Sequence, residues 1–84
     1  MPWSMCRHVE RQAQLMGEMM ERLGVDPLAA ARHQSGASFA QARTNCLVCR
    51  STSECRRWLD GVPGAEHPSE YCPNMAFFEA CLRR

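Results

Sequence analysis

From residue 4 to residue 23, apolar side chains recur at spacings of three and four. Val9, Ala13, Met16, Met20 and Leu23 fall on one stripe, and Glu10, Arg11, Glu18, Glu21 and Arg22 lie mostly off it. That period predicts an amphipathic helix. Gly24 supplies its stop, and Asp26-Pro27 reads as an N-cap followed by proline at the first helical position, so a short second helix over roughly 27–34 is expected. The stretch "SGAS" at 35–38 interrupts the pattern. Ser38 with Gln41 three residues on is a capping-box signature, which places the start of a third helix at Phe39. Its inward stripe is Phe39, Ala42, Cys46 and Cys49. Ser51 with Glu54 repeats the signature and opens a short helix that carries Cys55, Trp58 and Leu59 and stops at Gly61. Residues 60–71 read as a loop rich in Gly, Pro and acidic side chains. A last helix from near Pro73 is expected to bury Met75, Phe78 and either Cys81 or Leu82. No run alternates as a strand would, so the expected fold is all-α: one domain, 1–84, of four or five short helices.

A chain of 84 residues buries only about 60–65% of the surface its unfolded form exposes, so its core calls for reinforcement. Six cysteines supply the means. The net charge of +1 gives no basis for long-range attraction to nucleic acid or an anionic membrane. No stretch of about 18 apolar residues is present to span a bilayer. The N-terminal "MPWSMCRHVERQ" has no basic region followed by an apolar one, so a cytoplasmic location is expected. Permanent disulfides are uncommon in that compartment. A three-disulfide exported scaffold is the rival reading of the same count.

Four of the sulfurs form a ligand-like set: Cys46, Cys49, Cys55 and Cys72. Cys46 and Cys49 are spaced C-x2-C, i and i+3, which on one helical face directs both toward the same point. Cys55 follows a capped turn that lets the chain fold back. Cys72 precedes Pro73, a residue with no N–H to satisfy, and ligation there would tie down the end of the long loop. Zinc and a [4Fe-4S] cluster both accept four thiolates. Structural zinc sites favour two short knuckles, whereas here the second pair is spread over sixteen intervening residues, so the [4Fe-4S] cluster is the expected cofactor and zinc the alternative. The helices are then expected to pack around this cysteine-ligated metal site. Cys6 and Cys81 sit on apolar stripes, where cysteine behaves as a small hydrophobe; either is a spare ligand, and Cys6 is the upstream rival to Cys72. Of the scattered histidines, His67 is the rival zinc ligand.

The C-x2-C-x5-C spacing of Cys46, Cys49 and Cys55 with a distant fourth cysteine is similar to the ligand pattern of several [4Fe-4S] proteins. Among these are the fumarate–nitrate reduction regulators, the WhiB-like regulators and the endonuclease III glycosylases. Only the ligand spacing is shared, so the resemblance implies a cluster and no particular activity. More of the chain, roughly 20–80, resembles a family of small uncharacterised alphaproteobacterial proteins. That resemblance rests on "LGVDP" at Leu23–Pro27, the C-x2-C-x5-C-x2-W-L block from Cys46 to Leu59, and C-P-N at Cys72–Asn74, and it implies no mechanism.

An oxidised cluster held by four thiolates carries about −2, which calls for positive charge or N–H donors nearby. Arg43, Arg50, Arg56 and Arg57 stand against the single acid Glu54 between residues 43 and 57. Arg50 and Arg56 are therefore candidate neighbours of the site; the same arginines read equally as a solvated surface face or as a docking patch for a redox partner protein. Trp58, three residues after Cys55, is expected to shield the site from water. Trp3 is expected to pack at the end of the first helix. No serine–histidine–acid arrangement or phosphate-binding glycine loop is present, so no catalytic residue is assigned. The expected function is electron transfer or redox sensing by a small iron–sulfur protein. The alternative is a zinc-stapled adaptor that binds another protein through Met16, Met19 and Met20.

Overall fold

The computed structural model describes residues 3–83, the first three of these by backbone alone. The side chain of Trp3 thus lies outside the described residues. Five α-helices follow one another: α1 Trp3–Leu23, α2 Pro27–Arg32, α3 Ala37–Leu47, α4 Thr52–Leu59 and α5 Met75–Ala80. Short 3₁₀ turns occupy His33–Gly36 and Pro68–Glu70. The fold is all-α. Among the described residues the only strand-like feature is one antiparallel bridge, Val25 with Leu82. None of the helices is long and apolar enough to cross a membrane.

Local chemistry sets most of the boundaries. Gly24 adopts φ 82° after α1. Gly24 N–H then donates to Glu21 O, and Val25 N–H donates to Met20 O at 2.9 Å, the pair of bonds that closes a Schellman motif. Gly61 does the same after α4 at φ 72°, with Gly61 N–H on Trp58 O and Val62 N–H on Arg57 O. Asp26 caps α2 by accepting from the N–H groups of Leu28 and Ala29, with Pro27 at the first helical position.

Three expected starts and stops differ. Helix α2 ends at Arg32 rather than near 34, because Gln34 and Ser35 both take left-handed conformations, φ 49° and 56°. Helix α3 opens at Ala37 behind Gly36, not at Phe39 behind Ser38. The Ser38 hydroxyl is engaged elsewhere, 2.6 Å from Nδ1 of His33. Ser51 does stand at the N-cap of α4 but makes no side-chain capping bond, so the Ser51–Glu54 box is not formed.

The buried face of α1 is Gln12, Leu15, Met16, Met19 and Met20, rotated from the expected stripe. Ala13 is exposed and Leu15 is inside. Spacing alone defines a helical face only to within about a residue. The neighbours that cover the helix, chiefly α3 and α4, decide the rest. With Val25, Ala30, Ala42, Phe78 and Cys81, the α1 methionines form the core. Burying a large apolar side chain contributes about 1.5–3 kcal/mol, and Phe78, 1% exposed, is the largest of the set. Cys81 is buried as expected and Leu82 is left 40% exposed. Cys6 is not a core residue: it is exposed, in the part of α1 that precedes the buried segment beginning at Gln12.

The α1–α2 turn is clasped to the C-terminal end of the chain. Asp26 N–H donates to Cys81 O at 2.8 Å, and Arg83 N–H donates to Gly24 O at 2.9 Å. The molecule is a slab of 37 × 34 × 16 Å, about two helices thick. Its accessible surface of 5879 Å² exceeds the roughly 5,000 Å² typical of a folded chain of this mass. The core is correspondingly small.

Candidate metal centre

Cys46, Cys49, Cys55 and Cys72 line one cavity of about 30 Å³. Leu15, Met16 and Met19 of α1 and Phe78 of α5 complete its apolar walls. Cys46 belongs to the last turn of α3. Cys49 lies just beyond that helix rather than within it, although its N–H still donates to Cys46 O at 3.2 Å and keeps the turn tight. Cys55 stands in the first turn of α4, its N–H bonded to Ser51 O at 3.0 Å. Cys72 closes the long loop, held by its N–H on Pro68 O at 2.7 Å. Three separated stretches thus bring four half-buried thiols to one space.

Two buried amides fasten the walls. Gln12 of α1 donates through Nε2 to Cys46 O at 2.7 Å and to Thr52 Oγ1 at 3.3 Å, joining α1 to the end of α3 and the start of α4. Asn74, the N-cap residue of α5, donates through Nδ2 to Ala42 O at 2.9 Å and accepts from Asn45 Nδ2 at 3.0 Å. A buried amide that loses its partners costs about 1–3 kcal/mol, so these bonds fix the position of Cys46 and Cys72. The sequence carries a signal for Gln12, a polar residue amid Leu15, Met16 and Met19, and for Asn74, which follows Cys72-Pro73.

The cavity disfavours free thiolates. Burial, then the neighbouring Cys49 and Cys72, push the Cys46 thiol up. Burial followed by Cys72, Cys46 and Cys49 pushes Cys55 up to about 12, against a modest downward pull from Arg56. Cys72 is also raised, mainly by burial, while the backbone N–H of Asn74 eases its charge. In this low-dielectric space Cys46, Cys55 and Cys72 are favoured as thiols, or as thiolates around a cation that replaces the protons. Ser51 N–H already donates to the Cys49 sulfur at 3.3 Å. Tyr71 lines the same cavity, and its hydroxyl is buried without a hydrogen-bond partner.

Residues 4–84 match a family of unknown function, DUF6455. The chain belongs to the DUF6455 family. No curated protein and no solved structure matches it. Kinship with an uncharacterised family, as the resemblance implies, therefore assigns this DUF6455 protein no chemistry, and its own residues must carry the argument.

The other expected neighbours of the site are placed differently. Trp58 does not line the cavity; it is half-buried, edge-on to the His67 ring at 5.4 Å, with the Arg22 guanidinium 5.6 Å from its ring centroid. His67 is turned to that stack, and its Nδ1 accepts from Ser69 N–H at 3.1 Å, so it does not join the sulfurs. Arg56 bridges Glu18 at 2.8 Å and Asp60 at 3.0 Å on the surface, and Arg50 is exposed away from the cavity lining. Met16, Met19 and Met20 are core residues, not a docking groove. Among the described residues no three His, Cys, Asp or Glu side chains converge closely enough for one metal ion. In this DUF6455 protein the sulfurs share a cavity without meeting at a single point.

Proposed function

We propose that this DUF6455 protein is a small iron–sulfur protein, with Cys46, Cys49, Cys55 and Cys72 as ligands of a [4Fe-4S] cluster, that exchanges electrons with a redox partner protein. The observation that carries this reading is the gathering of four thiols from three stretches of chain around one cavity. A single zinc ion demands thiolates about 2.3 Å from a common point, and the sulfurs lack that convergence. A cluster spreads its attachment points over four iron corners and suits donors that surround a space. At about 30 Å³ the cavity is smaller than a [4Fe-4S] cube, so loading requires the side chains that line it to move outward.

The residues of the chain would then act in separate ways. Leu15, Met19 and Phe78 would exclude water, which tunes the potential of a buried centre. The N–H groups of Ser51 and Asn74 would donate to thiolate sulfur, and Arg56 would offset part of the negative charge at Cys55. The bound cluster supplies a one-electron couple. The same site could report oxidants by losing the cluster, since loss would release α4 and the 60–72 loop from their shared anchor.

Protein purified without oxygen should be brown, with about four irons and four acid-labile sulfides per chain. Colourless protein carrying one zinc per chain, or no metal after anaerobic isolation, would reject the proposal. Copper bound instead would also reject it, by assigning the Cys and Met sulfurs to a soft single ion.

A further inference from the structure

The four sulfurs have unequal surroundings. Cys49 accepts from Ser51 N–H at 3.3 Å, and the backbone N–H of Asn74 faces Cys72. The Cys46 thiol donates in the opposite sense, to the Gln12 carbonyl at 3.6 Å. Cys55 lines the same cavity, and among the described residues no N–H donates to its sulfur. Tyr71 is the single tyrosine of the chain. Its hydroxyl is buried without a partner, and the residue lines the cysteine cavity. A buried hydroxyl left unpaired costs about 1–3 kcal/mol, while a hydrogen bond to a charged acceptor is among the stronger kinds. The orphan donor and the unsupported sulfur thus complement one another once Cys55 is a thiolate.

We infer that Tyr71 is a positioning and tuning residue of this centre, donating its O–H to the sulfur of Cys55 when the site is loaded. The inference rests on the cluster reading. A phenol O–H directed at ligand sulfur stabilises the more negative, reduced state and so raises the reduction potential. It also holds Cys55 in its ligating orientation. The hydroxyl contributes nothing to the metal-free fold, because there it has no partner to lose.

Tyr71→Phe tests this, since the ring and its packing stay. The metal-free variant should be at least as stable as the metal-free parent. The loaded variant should show a lower midpoint potential, seen as about a tenfold fall in the reduced-to-oxidised ratio at a fixed solution poise. It should also release iron faster to a chelator. Parent protein that holds the cluster while Tyr71→Phe keeps the same potential overturns the role of Tyr71 alone. Parent protein without iron and sulfide overturns the cluster reading and this inference together.

Discussion

Met20, Val25, Ala30 and Cys81 form a region held by ordinary apolar burial, with Ala30 fully enclosed, and backbone hydrogen bonds clasp the C-terminal residues to the α1–α2 turn. The region of α4 and the loop to Cys72 is built otherwise. Helix α4 buries no residue fully; its attachments are half-buried Cys55, Trp58 and Leu59, the stack of Arg22 on Trp58, and an exposed ion pair from Arg56 to Glu18. The first region is held by packing and backbone hydrogen bonds alone. The second relies on polar clamps around four sulfurs, so it is the part whose stability a metal centre would govern.

Substitutions can break or sharpen that contrast. The largest effect is expected from Met20→Ala, which should cost about 2–5 kcal/mol by opening a cavity in the apolar region. Thermal melts should show the same loss in loaded and metal-stripped protein; a loss confined to one form would erase the distinction. Asn74→Ala strips partners from Ala42 O and Asn45 and should cost about 1–3 kcal/mol, roughly 4–8 °C in melting temperature per kcal/mol for a domain of this size. Unlike Met20→Ala it should also speed metal release to a chelator, because it loosens the turn that carries Cys72.

A pH series separates the two regions without mutation. In the metal-stripped protein the folded state keeps protons on Cys46, Cys55 and Cys72 that the unfolded chain gives up near the ordinary thiol value of 9.0. The stability they contribute is full below that value and is lost as pH rises toward the folded values, about 12 for Cys55. Melting temperature under reducing conditions should therefore fall from pH 8 to pH 11. Loaded protein, whose ligand sulfurs have already surrendered their protons, should show no such fall and should instead lose metal on acidification. A flat profile for the stripped form would contradict the burial of these thiols. The smallest effect is expected from Arg56→Ala. Its exposed pairs with Glu18 and Asp60 are worth at most about 1 kcal/mol, measured as a shift in denaturant midpoint.

What the sequence makes legible follows from distance along the chain. Gly24, Asp26, Pro27 and Gly61 act on groups within five residues, and their roles as stops and caps can be read directly. The inward face of α1 and the exposure of Cys6 depend on which helices lie over them, and periodicity does not contain that. Likewise the spacing of Cys46 and Cys49 suggests one helical face, but α3 ends at Leu47 and a tight turn places Cys49 instead. The clamps are the least local features: Gln12 and Cys46 are 34 residues apart, and Asn74 and Ala42 are 32. Tyr71 stood beside Cys72 in plain view, yet only the geometry reveals that its hydroxyl has no partner.

The most direct test is bound iron per chain, measured by native mass spectrometry under anaerobic conditions, for the six single Cys→Ser variants. Cys46→Ser, Cys49→Ser, Cys55→Ser and Cys72→Ser should each lose or sharply destabilise the cluster, whereas Cys6→Ser and Cys81→Ser should retain about four irons. Iron that survives in any of the first four as in the parent, or that vanishes only with Cys6 or Cys81, would contradict the account.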